Sequence, residues 1–179
     1  MQTGVVYDPR FLEHNPGAGH PESSARLLNT MRYLEDQSWF KTLLPISAQT
    51  AELETVTPIH DVAYIRRAAE VCRSGLAYLD SSDVGVCSTS YDIALLAAGS
   101  AIQLADNVIK QKIDNGFALM RPPGHHAEKA MALGFCLFNN IAILARYLQQ
   151  QYGLEKILII DWDVHHGNGT QHLFEEDPS

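Results

Sequence analysis

The sequence predicts an α/β protein built on a mostly parallel sheet flanked by helices, and three observations carry that expectation. Two short apolar runs, Phe117-Ala118-Leu119-Met120 and Ile157-Leu158-Ile159-Ile160, lack the alternation of a half-exposed strand and read as strands buried on both faces. Between them, residues from about Asn139 to Tyr152 form a helix-length segment closed by Gly153. Strand, helix and strand in that order make a parallel βαβ unit with a right-handed crossover. Both strands also run out into polar clusters, and the carboxyl ends of parallel strands are where open α/β sheets place their ligand sites.

The earlier elements follow from local pattern. Gly4-Val5-Val6-Tyr7 is a candidate first strand, followed by a Pro/Gly/His-rich loop from Pro9 to Pro21. From Glu22 to Glu35, Leu27, Leu28, Met31 and Leu34 recur at helical spacing, with Ser23 or Ser24 near the start as a cap. Pro58 to Ser74 predicts a second helix, with Val62, Ile65, Ala69 and Cys72 on one side and Gly75 beyond its end. Ser90 to Lys112 predicts a longer, more apolar helix carrying a wide stripe that includes Ile93, Leu96, Ala97, Leu104 and Val108. Gly99 within it costs about 1 kcal/mol relative to Ala, which predicts a neighbouring element packed close at that turn.

Length and composition bound the function. The 179 residues are about the size of one domain, and 46% hydrophobic with 19% charged residues is the balance of a globular protein. The net charge of −8 is the wrong sign for gripping phosphates, so direct nucleic-acid binding is not expected. No basic-flanked apolar leader opens the chain, and no polybasic membrane-surface segment is present, so a cytoplasmic protein without membrane contact is expected. Nor does any stretch approach the roughly 18 apolar residues of a spanning helix. Cys72, Cys87 and Cys136 are odd in number and lack C-x-x-C spacing, which argues against a disulfide framework or a thiolate zinc finger. Any metal would be held by His and carboxylate.

The chemistry is concentrated in the two clusters. Asp163 and His165 stand two residues apart on a segment leaving a strand, so their side chains project to one side and suit Zn²⁺ or a similar divalent ion. Asp161 is in phase with them, as a third ligand or as the partner that orients a histidine. His125 and His126 follow Pro122-Pro123-Gly124, a turn that permits close backbone approach. Two neutral imidazoles beside a metal-bound water suit general base and general acid, with Asp161 and Asn168 as candidates to fix their tautomers. Phe135 follows Gly134 on the same rim and reads either as ordinary core, the commoner use of a lone aromatic, or as the wall of a substrate channel.

Arg121-Pro122-Pro123-Gly124-His125-His126-Ala127, Gly134-Phe135-Cys136-Leu137-Phe138-Asn139-Asn140 and Asp161-Trp162-Asp163-Val164-His165-His166-Gly167-Asn168-Gly169-Thr170-Gln171 resemble the signature segments of the histone deacetylase superfamily. That superfamily includes acetylpolyamine amidohydrolases and acetoin-utilisation proteins. Gly19-His20-Pro21-Glu22 with Arg26-Leu27 resembles its class II-like branch. The resemblance implies a three-layer, arginase/deacetylase-like fold and zinc-dependent removal of an acetyl or short acyl group from an acylated lysine peptide or an acetylated polyamine. It implies Asp163 and His165 as zinc ligands, His126 as proton shuttle paired with Asn168, and His125 as electrostatic partner paired with Asp161. Some members carry Asp where this chain has Asn168. Phe135 would line the acyl-lysine channel, and Gly134 would offer its backbone carbonyl to substrate. The backbone carbonyls of Asp161, Asp163 and His165, with the Asp161 side chain, would hold K⁺, and Phe174 falls near a second such site. Asp80 and Asp83 both precede the long helix where members carry a rim Asp that holds the substrate backbone.

The resemblance also implies a third zinc-ligand Asp and a transition-state Tyr that residues 1–179 do not contain. The expectation is therefore the N-terminal part of a single deacetylase-like catalytic domain, with the C-terminal part missing and its activity alone in doubt. A non-catalytic binding or scaffold protein that keeps the fold is the alternative, and a manganese ureohydrolase is a more distant one that the tandem histidines disfavour.

Overall fold

Strand β1, Thr3–Val6, is the centre of a three-stranded parallel sheet in which it pairs with β2, Leu44–Ile46, on one side and β3, Asn115–Ala118, on the other. The computed structural model describes all residues, 1–179. Val5 faces Phe117 and Val6 faces Ala118 across the β1–β3 ladder, which one further bond from the Leu119 amide to the Val6 carbonyl extends. The apolar run at 117–120 therefore enters the sheet two residues earlier than its hydrophobicity suggests, and Leu119 turns into the core.

Six helices surround the sheet: α1 Ser24–Glu35, α2 Leu53–Val56, α3 Val62–Ser74, α4 Ser90–Ile109, α5 Asn140–Tyr152 and α6 Asn168–Phe174. The four longer ones agree with the sequence pattern to within a few residues. Helices α3 and α5 both end on a glycine in the left-handed conformation, Gly75 and Gly153, whose amides cap Cys72 and Gln149.

Helix α4 is the shared wall of two cores. Its Ile93, Leu96 and Ala97 pack with Val5, Val6, Phe11, Leu27 and Met31, while its Ala94, Leu95 and Ala98 join the larger core around Tyr64, Phe138 and Ile143. By length and composition α4 does reach the threshold for crossing a membrane, contrary to the sequence expectation, and it is mostly buried inside the protein. The close approach predicted at Gly99 is present. A Cβ there would run into the backbone of Gln49 and Ala51, and the Ala51 amide bonds the Leu95 carbonyl at 3.0 Å.

The second expected strand departs from the pattern. Residues 155–160 form no ladder, and Leu158 and Ile160 are 83% and 69% exposed. The segment runs beside β3 across a cleft lined by Ala118, Met120, His125, Ile159 and Asp161. Without a partner at the roughly 4.8 Å spacing of a ladder, an apolar run has nothing to pair with. β2 and α6 had no apolar pattern strong enough to announce them.

Candidate active site

The loop after β3 is anchored from its first residue. Arg121 is buried, and its guanidinium makes a two-pronged pair with Glu22 at 3.0 and 2.7 Å while also donating to the carbonyls of Phe11 and His14. Burial pushes the Glu22 carboxyl up, but hydrogen bonds from His14 and Arg121 outweigh it and hold the group below the usual carboxylate range. The Gly19-His20-Pro21-Glu22 segment thus fixes the base of the histidine loop.

The far end of the loop is held by a histidine from the segment before α3. His60 is fully buried; its Nδ1 bonds the Glu128 carbonyl and its Nε2 the Asn139 amide, both at 2.9 Å. A carbonyl only accepts and an amide only donates, so the ring is the neutral Nδ1–H tautomer. Burial lowers its pKa to about 4. A lone histidine in a helix–turn context gives no signal of this role in sequence. Asn139 then caps α5 by accepting from the Ala142 amide, and Asn140 donates to the Pro122 carbonyl, so the start of α5 clasps the loop.

Between these anchors the two imidazoles lie side by side, their centroids 4.0 Å apart. Their partners differ, as the residue pattern anticipates. His125 Nδ1 meets the Asp161 carboxylate at 2.8 Å, and His126 Nδ1 meets the Asn168 carbonyl oxygen at 2.6 Å. Asp161 is thereby placed as the partner of His125.

The segment 161–165 is organised by its own side chains. Asp161 Oδ1 accepts from the Asp163 amide at 3.1 Å, and Asp163 Oδ1 accepts from the His165 amide at 2.8 Å. Amides that would join a ladder are satisfied locally instead. Asp163 Oδ1 also lies 3.0 Å from His165 Nδ1, which confirms that the two project together. Bonds from the His165 amide and ring hold the Asp163 carboxyl below the usual carboxylate range. Asp163 and His165 are the right donor types for zinc, but no group of three His, Cys, Asp or Glu side chains converges to hold a metal. A catalytic zinc needs three protein ligands, so these residues alone do not complete such a site.

The rim is as specific. Gly134 and Phe135 both have positive φ, +54° and +69°. The Phe135 ring is half-buried and makes a T-shaped contact with the His20 ring, their centroids 4.7 Å apart. The Gly134 carbonyl accepts from the Cys136 thiol at 3.2 Å, and the Gly134 amide donates to Asp83 Oδ2 at 3.1 Å. Asp83 Oδ1 is buried without a partner. Asp80, by contrast, is fully engaged by Arg67 and the Ala132 amide. Phe174 lies under the Arg146 guanidinium, 5.4 Å away, and lines a cleft shared with Asp161, Asp163 and His165.

Comparison with known proteins extends this geometry. Residues 20–179 match the model of the histone deacetylase domain. The chain is 40% identical over 99% of its length to a probable deacetylase of Archaeoglobus fulgidus, covering 49% of that protein. It is 51% identical over its whole length to the polyamine deacetylase HDAC10 of Rattus norvegicus, covering 32% of it. The crystal structure of the HDA15 HD domain superposes on 98% of this chain and 51% of its own, with a TM-score of 0.91 at 38% identity. The parallel sheet and its flanking helices are therefore those of the deacetylase fold, and the chain spans between about a third and about half of the length of these relatives.

Proposed function

Because the chain belongs to the histone deacetylase family, we propose that it supplies the tandem-histidine part of a zinc-dependent amide hydrolase. The reaction is removal of an acetyl or short acyl group from an acylated lysine or polyamine nitrogen. The observation that carries the reading is the pair of adjacent, mutually tilted imidazoles with unlike partners, a carboxylate on His125 and an amide on His126.

Amide hydrolysis needs a proton taken from water and a proton given to the departing amine. His126, with a neutral partner and no hydrogen bond on Nε2 within the chain, is the group that moves the proton. His125 is the electrostatic partner, its Nδ1 held 2.8 Å from the Asp161 carboxylate. Phe135 lines the path of the acyl chain, and Asp83, which accepts from the Gly134 amide, holds the rim beside it. Asp163 and His165 would be two ligands of a zinc ion, with a third donor from outside residues 1–179; when bound, the metal polarises the amide carbonyl and activates water. K⁺ on the backbone carbonyls of Asp161, Asp163 and His165 belongs to the same reading. The net charge of −8 favours a cationic substrate through steering, and one relative is named a polyamine deacetylase.

A binding protein that retains the fold is the second reading. Acetate release from an acetyl-lysine peptide and from an acetylated polyamine, measured on the protein that carries this chain, separates the two. Activity lost on chelation and restored by zinc is expected. Zinc-loaded protein that binds but hydrolyses neither substrate supports the binding reading.

A further inference from the structure

We propose that Glu128 is a positioning residue for His126: acting through Asn168, its carboxylate sets which ring nitrogen of His126 carries the proton. The inference rests on the role of His126 given above. Asn168 Nδ2 donates to Glu128 Oε1 at 2.6 Å, while Asn168 Oδ1 meets His126 Nδ1 at 2.6 Å. The amide thus bridges a carboxylate and an imidazole, and its two ends are chemically unlike.

An ionised carboxylate only accepts, so it dictates that Asn168 turns its NH₂ toward Glu128. The opposite end must then be the oxygen, which accepts only from an N–H. The proton of a neutral His126 is consequently held on Nδ1, and the lone pair stays on Nε2, where proton transfer needs it. With the amide turned over, its NH₂ would face Nδ1, the proton would move to Nε2 and the ring could no longer act as a base. The carboxylate removes that alternative.

Glu128 is well placed for the task. Its backbone is fixed at both groups, the amide bonding Met131 and the carbonyl bonding buried His60. Its side chain is mostly buried. His172 Nδ1 contacts the same Oε1 at 2.8 Å from the next turn of α6, so the carboxylate is steered from two positions on that helix.

The test uses ¹⁵N-histidine-labelled chain at a pH where the ring is neutral, with tautomers read from long-range ¹H–¹⁵N correlations. Wild type is expected to show His126 as the Nδ1–H tautomer. Glu128→Gln, whose amide both donates and accepts, is expected to give a mixture of tautomers and, in the protein that carries the chain, a fall of about 10- to 100-fold in kcat with KM unchanged. The swap Asn168→Asp with Glu128→Gln places the carboxylate next to His126 and an amide behind it, and is expected to restore both readouts. A Glu128→Gln protein that keeps the wild-type tautomer, even with a lowered Tm, overturns the proposal, as does a swap that fails to restore it. If wild type hydrolyses no acylated amine, the amide hydrolase reading fails while the tautomer result still decides the role of Glu128.

Discussion

Gly134 is pressed so closely against the imidazole of His126 that a Cβ at residue 134 would overlap the ring. Its φ of +54° is also one that L side chains adopt only at a cost. Gly134→Ala is therefore expected to displace His126 from Asn168 as well as strain the turn, by about 1–2 kcal/mol for the backbone alone. The measurements are Tm and hydrolysis together. A modest drop in Tm with at least a tenfold loss of kcat is expected, and unchanged activity would show that the contact does not position the ring.

The pair Arg121–Glu22 fixes the base of the histidine loop from within the core. Arg121→Ala leaves a buried carboxylate without its main partner, and breaking such a pair costs about 3–5 kcal/mol. Urea unfolding of the variant should show that loss in the midpoint with little change in slope. A cost below about 1 kcal/mol would mean the loop is held by other contacts.

Much of this site is legible in the sequence because its chemistry is packed into short segments. His125 and His126 lie in the loop that follows β3, Asp161 in the segment after α5 and Asn168 at the start of α6, and their pairing is anticipated by the donor and acceptor types. What pattern cannot supply is contact between segments far apart in the chain. His60 bonding Asn139, Arg121 bonding Glu22 and Asn168 bonding Glu128 each join residues whose individual types have commoner uses. The strand expected at Ile157–Ile160 shows the reverse limit: β-branched apolar residues express a preference for a ladder, and the ladder forms only where a neighbouring strand stands at the right spacing.

His60 makes the stability of the loop depend on acid. Its pKa is about 4 in the folded protein against an ordinary 6.5, because burial disfavours the charged ring. The unfolded chain takes up the proton first, so stability present above pH 6.5 is lost as the pH falls toward 4, by at most about 3 kcal/mol. Glu22, held below the usual carboxylate range, adds its own loss at still lower pH. His60→Leu forfeits two hydrogen bonds at every pH but should flatten the slope between pH 6.5 and 4. Parallel stability profiles for wild type and variant would refute the assignment.

Phe135 is held at φ +69° with its ring against His20, a conformation that nothing in core packing demands. Strained backbone of this kind gathers at functional sites. Phe135→Ala is expected to raise KM for an acylated lysine peptide about tenfold with a smaller change in kcat. Equal KM values for the two proteins would remove Phe135 from the substrate path.

In the proposed reaction His126 moves the proton of amide hydrolysis. Acetate release by the protein that carries this chain, compared between wild type and His126→Ala at matched zinc occupancy, tests it most directly. A loss of at least about 100-fold in kcat with the fold intact is the predicted result. Acetate release by the variant at a near-normal rate would contradict it.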